Sequence, residues 1–221
     1  MTTPPTTGAT AVVAPGPAVG ARVLHAAVAL LAATGVGIEV VRALVADGDT
    51  AERLVRLASY FTIWTNVLAV GVSVLLAVQP RRDGPVFRAL RLDSVLFVVV
   101  TAITVHLLLR AFVPPDAAGR VGDLLTHTVV PVGVVVAWCV AGPRPRLTWW
   151  TCLTALVLPA VWLAWTFAHG HTSGWYPYPF LDVGRVGATS AALAALTILV
   201  LGALLGVVLR LVERRLPPAP R

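Results

Sequence analysis

Residues 186–210 read VGATSAALAALTILVLGALLGVVLR, a run that holds no acidic residue and carries its one arginine at the last position. About 20 apolar helical residues cross the roughly 30 Å hydrocarbon core of a bilayer, so this run is long enough to span it. Five other runs are also mainly apolar and long enough to span a bilayer: residues 21–45, 57–79, 93–113, 121–141 and 148–169. An open strand would leave backbone polar groups unpaired in lipid. We therefore predict an all-α membrane protein that forms a six-transmembrane-helix bundle.

The composition of the whole chain agrees with this class. Of its 221 residues, 57% are hydrophobic and 12% are charged, whereas soluble domains carry about 25% charged residues. Such a composition excludes both a water-soluble single domain and a disordered chain. All 17 basic residues are arginines, and most lie between the apolar runs. This distribution indicates membrane topology rather than nucleic-acid binding.

The arginines also predict the orientation of the chain. An even number of spans places both termini on one side of the membrane. The tails and the loops after spans two and four hold 11 arginines, and the opposite loops and helix ends hold six. Because cytoplasmic loops are enriched in basic residues, we predict a multi-pass cell membrane protein with both termini in the cytoplasm. Anionic lipid binding is an alternative interpretation of the basic loop at residues 80–92.

The ends of the chain differ from its centre. Residues 1–20 are rich in Pro, Thr, Ala and Gly and are predicted to form a disordered N-terminal tail. Residues 21–212 form the predicted transmembrane domain, and residues 213–221 a short basic cytoplasmic tail.

Polar side chains concentrate near one end of the predicted bundle. At the helical rise per residue, four of them lie about 8 to 10 Å from the outer ends of four different spans: Glu39, Thr62, His106 and His127. Asn66 lies one turn further in, and beyond it the inner half is nearly all Ala, Val, Leu and Gly. Polar groups inside a bilayer usually face a cavity or one another. The layer therefore predicts a functional site, with hydrogen bonding between helices as the alternative explanation.

Further polar and aromatic residues lie at the outer rim of this layer. They are Asp123, His169, His171, Trp175, Tyr176, Tyr178 and Asp182. Two prolines stiffen the segment 169–182 and two glycines permit close approach, so we predict a lid or substrate pocket, to which Trp64 also contributes. Trp and Tyr favour the level of the lipid headgroups as well, which makes an aromatic belt the alternative.

The fourth span carries the most specific local pattern. Asp123 and His127 are four residues apart and share a helix face, where the carboxylate can fix the tautomer and orientation of the imidazole. Pro131 has no N–H, so the His127 carbonyl loses its helical partner and we expect a bend. A threonine hydroxyl becomes a nucleophile when a base takes its proton. Thr62 lies at the depth of His127, which makes the two a candidate pair.

Three segments resemble the androgen-induced-protein family of integral membrane hydrolases and its bacterial relatives. They are YFT at residues 60–62 with Trp64, LTHTVVP at residues 125–131, and GWYPYPFLD at residues 174–182. Their order and spacing agree over about residues 21–212. The resemblance implies a six-span hydrolase of fatty-acid esters of hydroxy fatty acids, with Thr62 as nucleophile and His127 as base. In animal members Asn or Asp follows the threonine by three residues. Here Asn66 follows Thr62 by four, which leaves Thr65 as an alternative nucleophile.

These patterns predict a membrane hydrolase of lipid esters that uses Thr62 and His127, with no cofactor, no metal and no nucleic-acid partner. The predicted supporting residues are Asp123, Asn66, His106 and Glu39. Among these, Asn66 or His106 would stabilise the oxyanion, and backbone N–H groups are a further possibility.

Three alternatives remain open at this stage. A zinc-dependent intramembrane hydrolase would draw its ligands from Asp123, His127, His169, His171 and Asp182. A non-enzymatic transporter would pass protons along Glu39, His106, Asp123 and His127. A haem held by His106 and His127 ranks last.

Overall fold

The computed structural model describes residues 17–112, 116–144 and 146–217, and these residues form helices without a strand. Six helices in the described ranges are long and apolar enough to cross a membrane: Val19–Val45, Phe61–Val78, Pro85–Leu109, Ala117–Ala141, Trp149–Ser173 and Ala188–Glu213. The predicted six-helix membrane fold is confirmed.

The first two spans are separated by a short amphipathic helix. Helix α1 covers Pro17–Val45, α2 covers Thr50–Ser59 and α3 covers Phe61–Val78. The predicted N-terminal tail ends too late, because α1 already begins at Pro17; residues 1–16 lie outside the described residues.

The third and fourth spans each contain a π-helical segment. Helix α4, Pro85–Thr104, continues into the π-helical segment Val105–Leu109 and the 3-10 turn Arg110–Phe112. In the fourth span, α5 at Ala117–Leu124 passes through a π-helical segment, Leu125–Val129, into α6 at Val130–Ala141.

The last two spans are joined by a partly helical loop. The fifth span contains α7, Trp149–Thr154, and α8, Val157–Ser173. A 3-10 turn at Pro179–Leu181 and helix α9 at Val183–Val186 lead into α10, Ala188–Glu213. Of the predicted C-terminal tail, residues 218–221 lie outside the described residues.

The helices pack around α3 and α4. Helix α1 packs against α3, α5 and α6, while α4 packs against α3, α6 and α10. One apolar cluster centres on Phe61, Phe97 and Trp162, and a second includes Val98 and Val130. Most large side chains of α10 remain exposed, as expected for a helix that faces lipid tails. We call the end of the bundle where α1 stops and α3 begins the site end, and the opposite end the terminal end.

A break at Tyr60 separates α2 from α3. Asp49 caps the start of α2 by accepting hydrogen bonds from the N–H groups of Ala51 and Glu52, at 2.8 and 3.3 Å. Tyr60 then takes an extended backbone conformation, with φ −74° and ψ 128°. The predicted start of the second span at residue 57 is therefore wrong, because residues 57–59 belong to α2.

Tryptophan side chains hold this break in place. The indole N–H of Trp162 donates to the carbonyl of Ser59 at 2.9 Å, and that of Trp165 donates to the Ser59 hydroxyl at 3.0 Å. The indole N–H of Trp64 donates to the carbonyl of Ala58 at 2.7 Å. The last carbonyls of a helix have no partner within it, so these indoles supply the donors that let α2 end inside the bundle.

The terminal end contains buried polar groups, contrary to the nearly apolar inner half that the sequence predicts. His25, Ser73 and Ser94 are buried together with Arg91. A guanidinium nitrogen of Arg91 donates to the carbonyl of Pro143. These residues belong to segments that meet only when the first four spans pack.

Glu213 closes the terminal end. It is 1% exposed, and its Oε2 accepts hydrogen bonds from the backbone N–H groups of Arg146 and Leu147, each at 2.8 Å. Arg144 in the same loop donates from Nε to the carbonyl of Pro217 at 2.7 Å. The loop between the fourth and fifth spans is thereby tied to the end of α10.

Replacing Glu213 by alanine should destabilise the protein, because two buried N–H groups lose their acceptor at a cost of about 1–3 kcal/mol each. Glu213→Gln keeps an oxygen acceptor and should lose less. The midpoint of thermal unfolding in detergent measures both effects. Glu52→Ala is the control, since Glu52 is exposed and its ion pair with Arg56 is worth at most about 1 kcal/mol. Equal midpoints for Glu213→Ala and Glu52→Ala would contradict the proposed closure.

Candidate functional site

A cavity of about 600 Å³ opens at the site end of the bundle. Part of its wall is apolar and includes Leu57, Ile63, Val105 and Leu109. The remainder carries polar side chains: Glu39, Arg42, Tyr60, Thr62, Asp123, Thr126, His127, Tyr176, Tyr178, Asp182 and Arg185. A cavity with an apolar body and converging polar groups is the usual form of a small-molecule site.

Thr62, His127 and Asp123 form a chain of hydrogen bonds in the wall of this cavity. Thr62 Oγ1 lies 3.1 Å from His127 Nε2, and His127 Nδ1 lies 2.9 Å from Asp123 Oδ1. With the proton on Nδ1 donated to the carboxylate, Nε2 is free to accept the hydrogen of the Thr62 hydroxyl. A hydroxyl, an imidazole and a carboxylate therefore stand in the order that activation of a hydroxyl would require.

Arg110 extends this chain beyond the carboxylate. Its Nη1 lies 3.3 Å from Asp123 Oδ2, the oxygen that does not face the histidine. Charge-assisted hydrogen bonds to both oxygens favour the ionised carboxylate over the neutral acid. Asp123 is thereby held as an acceptor on the side of His127.

A π-helical segment, Leu125–Val129, precedes Pro131 in the fourth span. The N–H of Val130 donates to the carbonyl of Leu125, which is the wider spacing of a π-turn. In that register the partner of the Thr126 carbonyl would be Pro131, which has no N–H. Asn66 Nδ2 lies 3.5 Å from this carbonyl. The sequence predicts that the His127 carbonyl loses its helical partner. In the structure, it is the Thr126 carbonyl that receives a side-chain donor.

Two glycines bring the first and fourth spans into close contact beside the site. A Cβ atom at Gly35 would lie 2.9 Å from Thr126 Cγ2, and one at Gly122 would lie 2.3 Å from Glu39 Oε1. A larger residue at Gly35 would push α1 away from the π-helical segment, and one at Gly122 would displace the Glu39 carboxylate. The absence of side chains here lets Glu39 reach the cavity wall.

The start of α3 distinguishes Thr62 from Thr65. Thr62 is the second residue of α3 and lines the cavity. Thr65 is fully buried and its Oγ1 donates to the carbonyl of Thr62 at 3.1 Å. Asn66 Nδ2 donates to the same carbonyl at 2.9 Å. Both threonines are described in the structure, and Thr62, rather than Thr65, contacts His127.

Glu39 belongs to an ion-pair network at the mouth of the cavity. Its Oε2 lies 2.8 Å from Arg42 Nη1, and Arg42 Nη2 lies 2.8 Å from Asp116 Oδ1. The N–H of Gly119 and the Arg42 guanidinium hold the pKa of Asp116 below its ordinary value. The spacing of Glu39 and Arg42 by three residues is the sequence signal for this pair. In the prediction of membrane orientation, Arg42 is one of the six arginines of the opposite loops and helix ends.

Some predicted site residues lie outside the cavity. His106 is exposed, with Nδ1 2.9 Å from the carbonyl of Ala102 and Nε2 3.4 Å from Thr128 Oγ1. The prediction of His106 as an oxyanion donor therefore has no geometric support. Asn66 lies one helical turn after Thr62, and its side-chain amide donates to the backbone carbonyls of Thr62 and Thr126. It therefore acts as a structural partner of Thr62.

The predicted lid divides into two parts. Tyr176, Tyr178 and Asp182 line the cavity. The other predicted lid residues are Trp64, which caps α2, together with His169, His171 and Trp175. His169 stacks on Trp165 with ring centroids 5.4 Å apart, and Trp175 packs edge-on against Tyr60. His171 is exposed.

The geometry also bears on the alternative functions. In the described ranges, no group of three or more His, Cys, Asp or Glu side chains is arranged to hold a metal ion. The predicted zinc ligands thus do not converge beyond the pair Asp123 and His127. Glu39, Asp123 and His127 line one cavity, and His106 lies outside it. The proton path and the haem site both require His106 next to His127, so neither set of residues is brought together in this cavity.

No protein-family model, no curated protein and no solved structure matches this chain. The resemblance to the androgen-induced-protein family rests on the three quoted segments and remains a prediction. The function is therefore argued from the contacts of Thr62, His127 and Asp123.

Proposed function

We propose that this protein is an integral membrane hydrolase that cleaves a lipid ester with Thr62 as nucleophile and His127 as base. The observation that carries the proposal is the contact of Thr62 Oγ1 with His127 Nε2 at 3.1 Å, backed by the contact of His127 Nδ1 with Asp123 at 2.9 Å. Intramembrane polar residues are costly and mark functional sites. Here three of them, on two different spans, meet in the wall of one cavity.

The proposed reaction has two steps. In the first, His127 Nε2 takes the Thr62 proton while Thr62 Oγ1 bonds to the acyl carbon, and the carbonyl electron pair moves onto oxygen. When the intermediate collapses, the ester C–O bond breaks and His127 protonates the departing alcohol. In the second step, water gives a proton to His127 and its oxygen attacks the acyl-threonine. Collapse then releases the carboxylic acid, and the proton returns to Thr62.

Asp123 supports this cycle by holding the imidazole. Its carboxylate accepts from Nδ1 and so keeps the lone pair of Nε2 directed at Thr62. It also stabilises the imidazolium that forms when the Thr62 proton is taken. Arg110 on the outer side of Asp123 keeps the carboxylate charged.

The surroundings of Thr62 favour an ester with a fatty-acyl part. The cavity opens within membrane-spanning helices and has apolar walls at Leu57, Ile63 and Leu109. A narrow apolar crevice adjoins it and shares Thr62 and Tyr178 with it; its other walls include Val100, Trp162, Phe180 and Ile198. An ester carbonyl at Thr62 can therefore place its acyl chain toward this crevice and its alcohol part in the more polar cavity.

The arginine distribution gives the proposed side of entry. With both termini in the cytoplasm, α1 begins on the cytoplasmic side and ends at the site end. The site end therefore faces outward. The substrate would then enter from the outer leaflet of the cell membrane.

Thr62→Ala and His127→Ala should both abolish labelling of the purified protein by a fluorophosphonate probe, because the first removes the attacking oxygen and the second its base. Loss of the base should also lower ester turnover by about 10²–10⁴-fold. Thr65→Ala is the matched control and should keep the labelling, since Thr65 faces away from the cavity. Helical circular dichroism in detergent checks that each variant is folded. Undiminished labelling of folded Thr62→Ala would rule out the nucleophile.

Asp123→Asn should lower kcat by up to about 10⁴-fold with little change in KM, because an amide can stabilise the wrong tautomer of the histidine. Turnover of a fatty-acyl p-nitrophenyl ester measures this. Asp116→Asn provides the control, because Asp116 pairs with Arg42 and does not contact the histidine. A kcat for Asp123→Asn equal to that of Asp116→Asn would show that the carboxylate does not act through His127.

A further inference from the structure

Tyr178 lies beside the start of α3, where it lines the cavity and the adjoining crevice together with Thr62. It lies in the loop between α8 and α9 and is 8% exposed. Its ring packs against Tyr60 and Trp162 with centroids 5.7 and 5.8 Å away, and stacks on Phe180 at 5.4 Å. These neighbours hold the ring on three sides, so the hydroxyl has a defined position.

Tyr178 lies beside Thr62 at the start of α3. The two residues line the same cavity and the same adjoining crevice. Burial raises the pKa of Tyr178, and the Thr62 side chain and the backbone N–H groups of Thr62 and Phe61 oppose that rise. The first N–H groups of a helix have no partner within it, and Tyr60 at the N-cap position makes no side-chain capping bond. Tyr178 thus places a polar oxygen from another part of the chain near this helix start.

The phenol lies beside the start of α3, where the positive end of the helix dipole polarises it. Burial raises the pKa of Tyr178 to about 12. The hydroxyl therefore keeps its proton at neutral pH and has it available for donation.

Tyr178 is the tyrosine that lines both the cavity and the adjoining crevice with Thr62, which places it to donate to the developing negative charge. His127 occupies one side of Thr62 Oγ1. The amide of Asn66 is committed to backbone carbonyls, and His106 lies outside the cavity. Tyr178 lines both the cavity and the adjoining crevice, which is where a carbonyl bonded to Thr62 would lie.

We propose that Tyr178 is a catalytic residue whose hydroxyl donates a hydrogen bond to the carbonyl oxygen of the ester as it becomes an oxyanion. This inference rests on the proposed Thr62 hydrolase. Attack by Thr62 moves the carbonyl electron pair onto oxygen, and the phenol stabilises that charge without giving up its proton. The same donor acts again when water attacks the acyl-threonine, because the second intermediate places its charge on the same oxygen.

The test compares an oxygen ester with its thiono analogue. Purified protein is given p-nitrophenyl octanoate and O-(p-nitrophenyl) thionooctanoate, in which sulfur replaces the carbonyl oxygen. Sulfur is a weaker hydrogen-bond acceptor, so the ratio of the two kcat values reports donation to the oxyanion. Both rates come from one preparation, and the ratio is therefore independent of the fraction of folded protein.

Tyr178→Phe should lower kcat for the oxygen ester by about 10²–10³-fold, the usual loss for one oxyanion donor. The thionoester should lose less, and so the ratio of oxygen ester to thionoester should fall. Tyr60→Phe is the matched control, because its ring packs against Tyr178; whatever its absolute rates, it should keep the ratio of the unchanged protein. A ratio in folded Tyr178→Phe equal to that of Tyr60→Phe would overturn the inference.

Thr62→Ala in the same assay separates this inference from the proposed function. If Thr62→Ala still cleaves both esters, the threonine hydrolase itself fails. If Thr62→Ala is inactive while Tyr178→Phe keeps the ratio, only the role of Tyr178 fails.

If Tyr178→Phe does not fold, a second replacement still tests the inference. Incorporation of 3-fluorotyrosine at position 178 keeps the ring and the hydroxyl but makes the phenol a stronger donor. The ratio of oxygen ester to thionoester should then rise above that of the unchanged protein. An unchanged ratio would overturn the inference.

Discussion

The site depends on the interruption of the chain between α2 and α3. A continuous helix through Ser59 and Tyr60 would give the N–H groups of Phe61 and Thr62 to carbonyls of the preceding turn. The break instead makes Thr62 the second residue of a new helix, with a free N–H beside its hydroxyl. Such a break is tolerated inside a membrane protein only where other groups satisfy the freed backbone. The indole N–H groups of Trp64 and Trp162 meet that requirement for the carbonyls of Ala58 and Ser59 at the end of α2.

The fourth span meets this helix start with a second departure from α-helical geometry. The π-helical segment Leu125–Val129 carries His127 and leaves Pro131 without the need to donate. Small residues on α1 and α5 allow close packing at this level. Three spans are therefore joined around a few polar contacts, and the contact of Thr62 with His127 lies where they meet. Rigid placement of the Thr62 hydroxyl beside the His127 imidazole is what the proposed catalysis by positioning requires.

The two ends of the bundle use their charges differently. At the terminal end, Glu213 and the arginines near it bind backbone groups of neighbouring loops and are largely buried. At the site end, the charged groups of Glu39, Asp123 and Arg185 border an open cavity. Hydrogen bonds between buried charged groups and the backbone hold the terminal end together, whereas the partly solvated polar groups of the site end remain available to a ligand.

The sequence by itself determined the six spans, the layer of polar residues and the pairing of Asp123 with His127. Each of these follows from a local rule: the apolar length needed to cross a bilayer, the helical rise, and the i, i+4 spacing on one face. Only the tertiary structure decided that Thr62 rather than Thr65 faces His127, that His106 lies outside the cavity and that Tyr178 reaches the start of α3. The helical period orders the faces of one helix, but the rotation of each helix is set by packing. Side chains from α8 and the loop after it, about a hundred residues along the chain from Ser59, determine where α3 begins.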